Sequence, residues 1–218
     1  MIDDFKTTQS ASITSLHENG GGRLRSGTML GGTRGLALQD SSGGAPLAVS
    51  IGSGSLGYVQ QGSGQALMLL TWNGDPLGGE LGGVDFTEGG AQDALALDVF
   101  FQDLGGLLMV TVCTDPAISG AQSCSDGRYS TGSTILGAGL HALKFSDFTL
   151  RSGSGADFTR VHQVVMRFQA TGPGSLRLLG LATVPEPSAG VLTCVGVALL
   201  AGSRRRARRR GWRTWRRT

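Results

Sequence analysis

Three histidines and a scatter of carboxylates are the residues of this chain that could do chemistry. His17, His141 and His162 lie far apart, and none sits in a metal-ligand spacing such as His-Glu-x-x-His. No Gly-x-Ser-x-Gly nucleophile elbow is present. Asp75, Glu80, Asp85, Glu88, Asp93, Asp98 and Asp103 would serve glycoside hydrolysis only if two of them faced each other across a cleft. Solvated loops are the simpler reading, and the expectation is a protein without catalysis. Asp75 and Asp85 are candidates for a structural calcium through oxygen ligands, against a plain role at a turn and a strand edge. No other metal and no cofactor is expected. Gly52-Ser53-Gly54-Ser55-Leu56-Gly57 matches the dinucleotide-binding glycine pattern letter for letter. The residues that follow, Tyr58-Val59-Gln60, are strand-like, so no helix opens to meet a pyrophosphate and a hairpin loop is expected. Sugar binding needs aromatic faces. Tyr58 and Trp72 are the candidates, although Trp72 ends an apolar run and has the core as its default.

The elements that must position these residues read as β-structure. Thirty-seven glycines separate short apolar runs, with no collagen period and no internal repeat. Residues 1–183 are long enough for one domain with a core. Ile2–Leu16 reads as an edge strand, Asn19–Gly22 as a turn, and Leu24–Leu30 and Arg34–Leu38 as short strands around Gly31-Gly32. Leu47–Ile51 alternates as a strand, and Ala66–Trp72 is apolar enough to be buried on both faces. In Ala94–Phe101, residues Leu95, Leu97, Val99 and Phe101 fall on one face and Asp98 on the other. Leu107–Cys113 is a further strand, Asp115–Ser130 is polar, and Phe145 and Phe148 are expected against the sheet. In Arg160–Ala170 the parity holding His162, Val164, Met166 and Phe168 is the more apolar, and Ser175–Thr183 closes the series. About ten to twelve strands and no helix in this part predict an all-β, antiparallel β-sandwich.

The end of the chain is different. Val184-Pro185-Glu186-Pro187-Ser188 precedes an uncharged apolar segment at 189–202, which includes Ala189, Val191, Leu192, Val195, Val197, Leu199 and Leu200. As a helix its fourteen residues would span about 21 Å, short of the ~30 Å hydrocarbon core, unless counted from Pro187 with Arg204 snorkelling. The tail, 203–218, holds nine arginines, among them Arg204, Arg205, Arg206, Arg208, Arg209 and Arg210, a cluster that fixes the cytoplasmic side. The chain carries a net +3, but without the tail's nine arginines ten positive residues face sixteen negative ones, a net of −6. The folded part therefore offers no basic surface to a phosphate backbone, and nucleic acid is not an expected partner.

Proline-rich motif, apolar span and arginine cluster, in that order at the chain end, resemble the PEP-CTERM sorting signal of Gram-negative bacteria, with Pro185-Glu186-Pro187 as the motif. The resemblance covers about the last 35 residues. It implies export, a single transmembrane helix that holds the chain transiently in the inner membrane, processing near the motif by an exosortase, and delivery to the cell envelope or extracellular matrix. An ordinary tail anchor is the alternative. Residues 1–30 show no basic region followed by an apolar stretch, so an export signal is expected to have been lost from a late-called or trimmed start. In an oxidising compartment Cys113 and Cys124, eleven apart, are expected to pair, against two free thiols. Cys194 lies in the apolar span.

A second resemblance covers most of residues 1–183. Asp3-Asp4-Phe5, Gly31-Gly32-Thr33-Arg34-Gly35, Trp72-Asn73-Gly74, Gly83-Val84-Asp85-Phe86-Thr87 and Asp157-Phe158-Thr159-Arg160-Val161 look like galactose-binding-type jelly rolls. That resemblance implies a jelly-roll-like sandwich that could hold an extracellular polysaccharide. A structural or adhesive sandwich is the first expectation and a carbohydrate-binding module the second.

Overall fold

A computed structural model of the chain describes residues 1–13, 19–25, 29–40, 46–73, 81–103, 105–114, 122–130 and 136–185, with the backbone alone at 13, 19–25 and 40. The chain divides into two units, Met1–Val184 and Pro185–Thr218. The first is an antiparallel two-sheet β-sandwich. With strands numbered along the chain, its six-stranded sheet runs β1 (Gln9–Ile13), β4 (Leu47–Gly52), β5 (Ser55–Gln60), β13 (Gly174–Val184), β7 (Ala94–Gln102), β10 (Gly139–Lys144). The seven-stranded sheet runs β11 (Thr149–Ser152), β9 (Cys124–Ser130), β8 (Gly106–Cys113), β12 (Gln163–Ala170), β6 (Ala66–Trp72), β3 (Thr33–Asp40), β2 (Asn19–Arg25). In the second unit only Pro185 is described. The expected motif residues Glu186 and Pro187, the apolar span and the arginine tail lie outside the described residues. Among the described residues no helix is long and apolar enough to cross a membrane.

Alternation builds the core. Val164, Met166, Phe168 and Ala170 of β12 are fully buried and face Leu108, Val110 and Val112 of β8 and the buried parity of β6. Aromatic contacts join the two sheets. The rings of Tyr58 on β5 and Phe168 on β12 meet edge to face with centroids 4.9 Å apart. The Tyr129 hydroxyl of β9 donates to the Leu95 carbonyl of β7 at 2.7 Å. Gly127 of β9 is a glycine for lack of room: a Cβ there would collide with the Phe148 ring and Leu143. The glycine pattern at 52–57 closes the β4–β5 hairpin, with Gly52 opposite Ser55 and left-handed φ at Ser53 and Gly54, as a two-residue turn of the primed type requires.

Several expectations need correction. Asn19–Gly22 is not a turn but the first half of β2, laddered to β3 through its backbone, where glycines present no side chain to refuse the pairing. Ala66–Trp72 is not buried on both faces. Ala66, Met68, Leu70 and Trp72 point inward, whereas Leu67, Leu69 and Thr71 are half-buried on the outside. In β7 the parity fails at its end. Leu178 pairs with Val99 and Arg177 with Phe101, so Phe100 is an extra residue in a β-bulge, and both phenylalanines become solvent-exposed. The polar stretch before Ser130 includes a strand, β9.

The amino-terminal residues are not an edge strand until Gln9. Residues 1–8 pack on one end of the sandwich, with Ile2 and Phe5 buried and Asp3 bridged to Leu181 of β13. The buried Asp3 carboxylate accepts from Arg34 Nη1 at 2.7 Å, from Trp72 Nε1 at 3.0 Å and from the Phe5 amide at 2.8 Å. Arg34, itself fully buried, donates further to Gln9 Oε1 and the Thr7 carbonyl and lies over the Phe5 ring. Every group in this cluster is satisfied, the condition under which a buried ion pair persists.

Candidate functional site

The outer face of the seven-stranded sheet carries an open depression of about 430 Å³. Gly35 and Ala37 of β3, Leu69 and Thr71 of β6, Asn73 just beyond it and Gln163 of β12 line it. Register explains the composition. Gly35 pairs with Thr71, Thr71 with Val165, and Val165 with Thr111, a row of short side chains across four strands. Small residues leave the space, and Asn73 and Gln163 place amide groups at its margin. Gln163 Oε1 accepts from Gln122 Nε2 at 3.3 Å, which leaves its own amide nitrogen to donate.

The margin is braced covalently. Cys113 and Cys124 are register partners of β8 and β9, and the disulfide expected between them is present. Cys113 also pairs with Gln163. Next along β8, Thr111 donates to Asp126 Oδ1 at 2.7 Å, and Arg151 of β11 reaches both residues at 3.3 Å. Replacing both cysteines by serine is expected to cost about 2–3 kcal/mol, by the chain-entropy reckoning for a loop this short. Chemical denaturation with and without reductant checks it, and both forms should unfold alike under reducing conditions.

The opposite sheet presents a different surface. The bulge in β7 leaves Phe100 54% and Phe101 44% exposed. The Arg177 guanidinium lies 5.0 Å from the Phe100 ring centre, which occupies one face of that ring. Grouped exposed apolar side chains of this size mark a contact surface more often than a free one.

The residues singled out in the sequence fall elsewhere. Tyr58 and Trp72 are completely buried and offer no ring face to a ligand. The Tyr58 hydroxyl donates to Gln60 Oε1 and the Trp72 nitrogen to Asp3, so both polar tips are spent inside. They are core residues, because each stands on the inward parity of its strand. Asp75 and His17 lie outside the described residues. Asp85 belongs to a turn: it accepts from the Thr87 amide and hydroxyl and from the Gly89 amide. Asp157 repeats the arrangement with Thr159, on an identical Asp-Phe-Thr tripeptide. These side-chain and backbone donors hold both carboxyls below the ordinary 3.8. Among the described residues no group of three metal-ligating side chains comes together. His141 meets the Gly137 carbonyl and His162 packs beside Gly83, so the described histidines do not share a site.

The two Asp-Phe-Thr turns carry a pH prediction. Their carboxyls are depressed in the folded chain, so their contribution is present above the unfolded value and is lost as pH falls through the folded one. The turns are therefore expected to hold at pH 4 and to loosen only below the usual carboxylate range. Amide exchange at Thr87, Gly89 and Thr159 across a pH series would show this, and loosening already at pH 5 would contradict it.

No protein-family model matches the chain, and no curated protein matches it. Among solved structures it is similar to a family 11 carbohydrate-binding module from Clostridium thermocellum in complex with a β-1,3-1,4-mixed-linked tetrasaccharide, at 10% identity and a TM-score of 0.45, over 85% of this chain and 94% of that one. It is also similar to the family 11 module of the cellulosomal cellulase Lic26A-Cel5E of Clostridium thermocellum, at 12% identity and a TM-score of 0.42, over 85% and 93%. The strand order and register of the chain itself make it an antiparallel sandwich of one six-stranded and one seven-stranded sheet.

Proposed function

We propose that this protein is an exported carbohydrate-binding domain that holds an extracellular polysaccharide on the outer face of its seven-stranded sheet, without catalysis. The observation that carries the reading is the depression of Gly35, Ala37, Thr71, Asn73 and Gln163. Short side chains make room, and amides and a hydroxyl at the margin match the hydroxyls of a sugar chain. Export follows the resemblance of the chain end to the PEP-CTERM signal, with an exosortase as the processing partner and the envelope or extracellular matrix as destination. One structural feature supports processing there. β13 ends at Val184 and Pro185 is exposed, so a cut at the motif severs no strand. Expression behind an export signal, with and without exosortase, tests the route: an intact chain retained in the inner membrane of both hosts would sink it.

A structural or adhesive role is the second reading, and the exposed Phe100–Phe101 pair favours it. Two variants separate the readings. Ala37→Trp fills the depression, and the double change Phe100→Ser, Phe101→Ser removes the apolar patch. In affinity electrophoresis of the full chain through polysaccharide gels, Ala37→Trp is expected to weaken retention at least tenfold, and the double variant to leave it unchanged. Retention lost only in the double variant, together with loss of self-association, would establish the adhesive reading instead.

A further inference from the structure

Charge is not spread evenly over the sandwich. Among the residues whose side chains the structure describes, the outer face of the seven-stranded sheet carries three arginines, Arg128, Arg151 and Arg167, and one carboxylate, Asp126. Asp126 is engaged by Arg151 at 3.3 Å. Arg128 and Arg167 have no ion-pair partner among the described residues. They stand in one row, Arg167 opposite Met109 and Met109 opposite Arg128, two strand steps or about 10 Å apart. On its other side Arg167 pairs with Leu69, and Leu69 with Ala37, so the same row runs into the depression. Asp4, Asp85, Asp98, Asp103, Asp147 and Asp157 all lie on loops or on the other sheet. Among the outward side chains described on this face none is aromatic, and the exposed phenylalanines belong to the opposite sheet. A neutral glycan would find no aromatic to stack on here. A guanidinium offers a planar fork that takes a carboxylate by two parallel hydrogen bonds.

Resting on the polysaccharide-binding reading, we propose that the chain held on this face is acidic, a polyuronate whose carboxylates are taken by Arg167 and Arg128 while a neighbouring ring lies in the depression. A nucleic-acid strand is disfavoured, since its bases would lack the aromatic platform that single strands use.

The test uses the full chain in neutral detergent with its nine tail arginines changed to glutamine, so that the tail cannot hold a polyanion. Binding is measured to polygalacturonate, to the same polymer with its carboxyls reduced to alcohols, to a neutral mixed-linked β-glucan and to single-stranded DNA. Polygalacturonate is expected to bind, more weakly as salt rises, and the reduced polymer at least tenfold more weakly. The double variant Arg128→Gln, Arg167→Gln should lose at least tenfold, the corresponding lysine variant less, and Lys6→Gln nothing. Equal binding of the reduced polymer or of the neutral glucan overturns the acidic-ligand claim and leaves the polysaccharide reading standing. DNA bound as tightly as polygalacturonate also overturns it. Failure to bind any polysaccharide overturns both. Should the glutamine variant unfold, the comparison of polymers on the unaltered face decides alone.

Discussion

Asp3→Ala is expected to lower the stability of the sandwich by about 3–5 kcal/mol, the cost of breaking a buried ion pair from one side. The change strips Arg34 of the oxygen that Nη1 reaches at 2.7 Å and leaves a fully buried guanidinium with a charge deficit. It also removes the acceptor of the Trp72 indole and of the Phe5 amide. At roughly 2–4 °C per kcal/mol for a domain of this size, the melting temperature should fall by about 10 °C. The double variant Asp3→Ala, Arg34→Met should recover part of the loss, because it removes the stranded charge together with its partner. A double-mutant cycle by chemical denaturation measures the coupling. Additive losses would mean that the two side chains do not share an interaction.

Phe168→Ala should cost a similar amount, about 3–5 kcal/mol. The ring has no solvent exposure and meets Tyr58 of the other sheet edge to face. Its removal opens a cavity between the sheets where the Tyr58 and Phe168 rings meet. Phe168→Leu keeps most of the volume and should cost much less. Equal losses for alanine and leucine would show that ring geometry, not volume, carries the term.

What could be read from the sequence follows from how local each determinant is. The parity of Val164, Met166 and Phe168 was legible because alternation within one strand decides which side faces the core. The hairpin at Ser53-Gly54 was legible for the same reason, since turn chemistry is a matter of neighbours. The cysteine pair followed from eleven residues of spacing and an expected oxidising compartment. The Asp3 cluster was not legible: Asp3 meets Arg34 thirty-one residues away and Trp72 sixty-nine away, and no local pattern announces that. Leu67 and Leu69 made β6 look buried on both faces, when their row is the outward one that borders the depression. The exposure of Phe101 is not legible, because one extra residue at the bulge reverses the parity read from Leu95, Leu97 and Val99. Tyr58 is a candidate by residue type alone, and type does not say which way a strand residue points, whereas the place of Trp72 at the end of an apolar run already gives the core as its default.

A polysaccharide lying on the outer face of the seven-stranded sheet shields the strands beneath it, and hydrogen–deuterium exchange of the full chain, with and without polygalacturonate, reads that shielding. Slower exchange is predicted in peptides covering Gly35–Ala37, Leu69–Asn73 and Gln163–Arg167, with none in the stretch holding Phe100 and Phe101. Protection confined to the Phe100–Phe101 stretch, or no change on β3, β6 and β12, would contradict it.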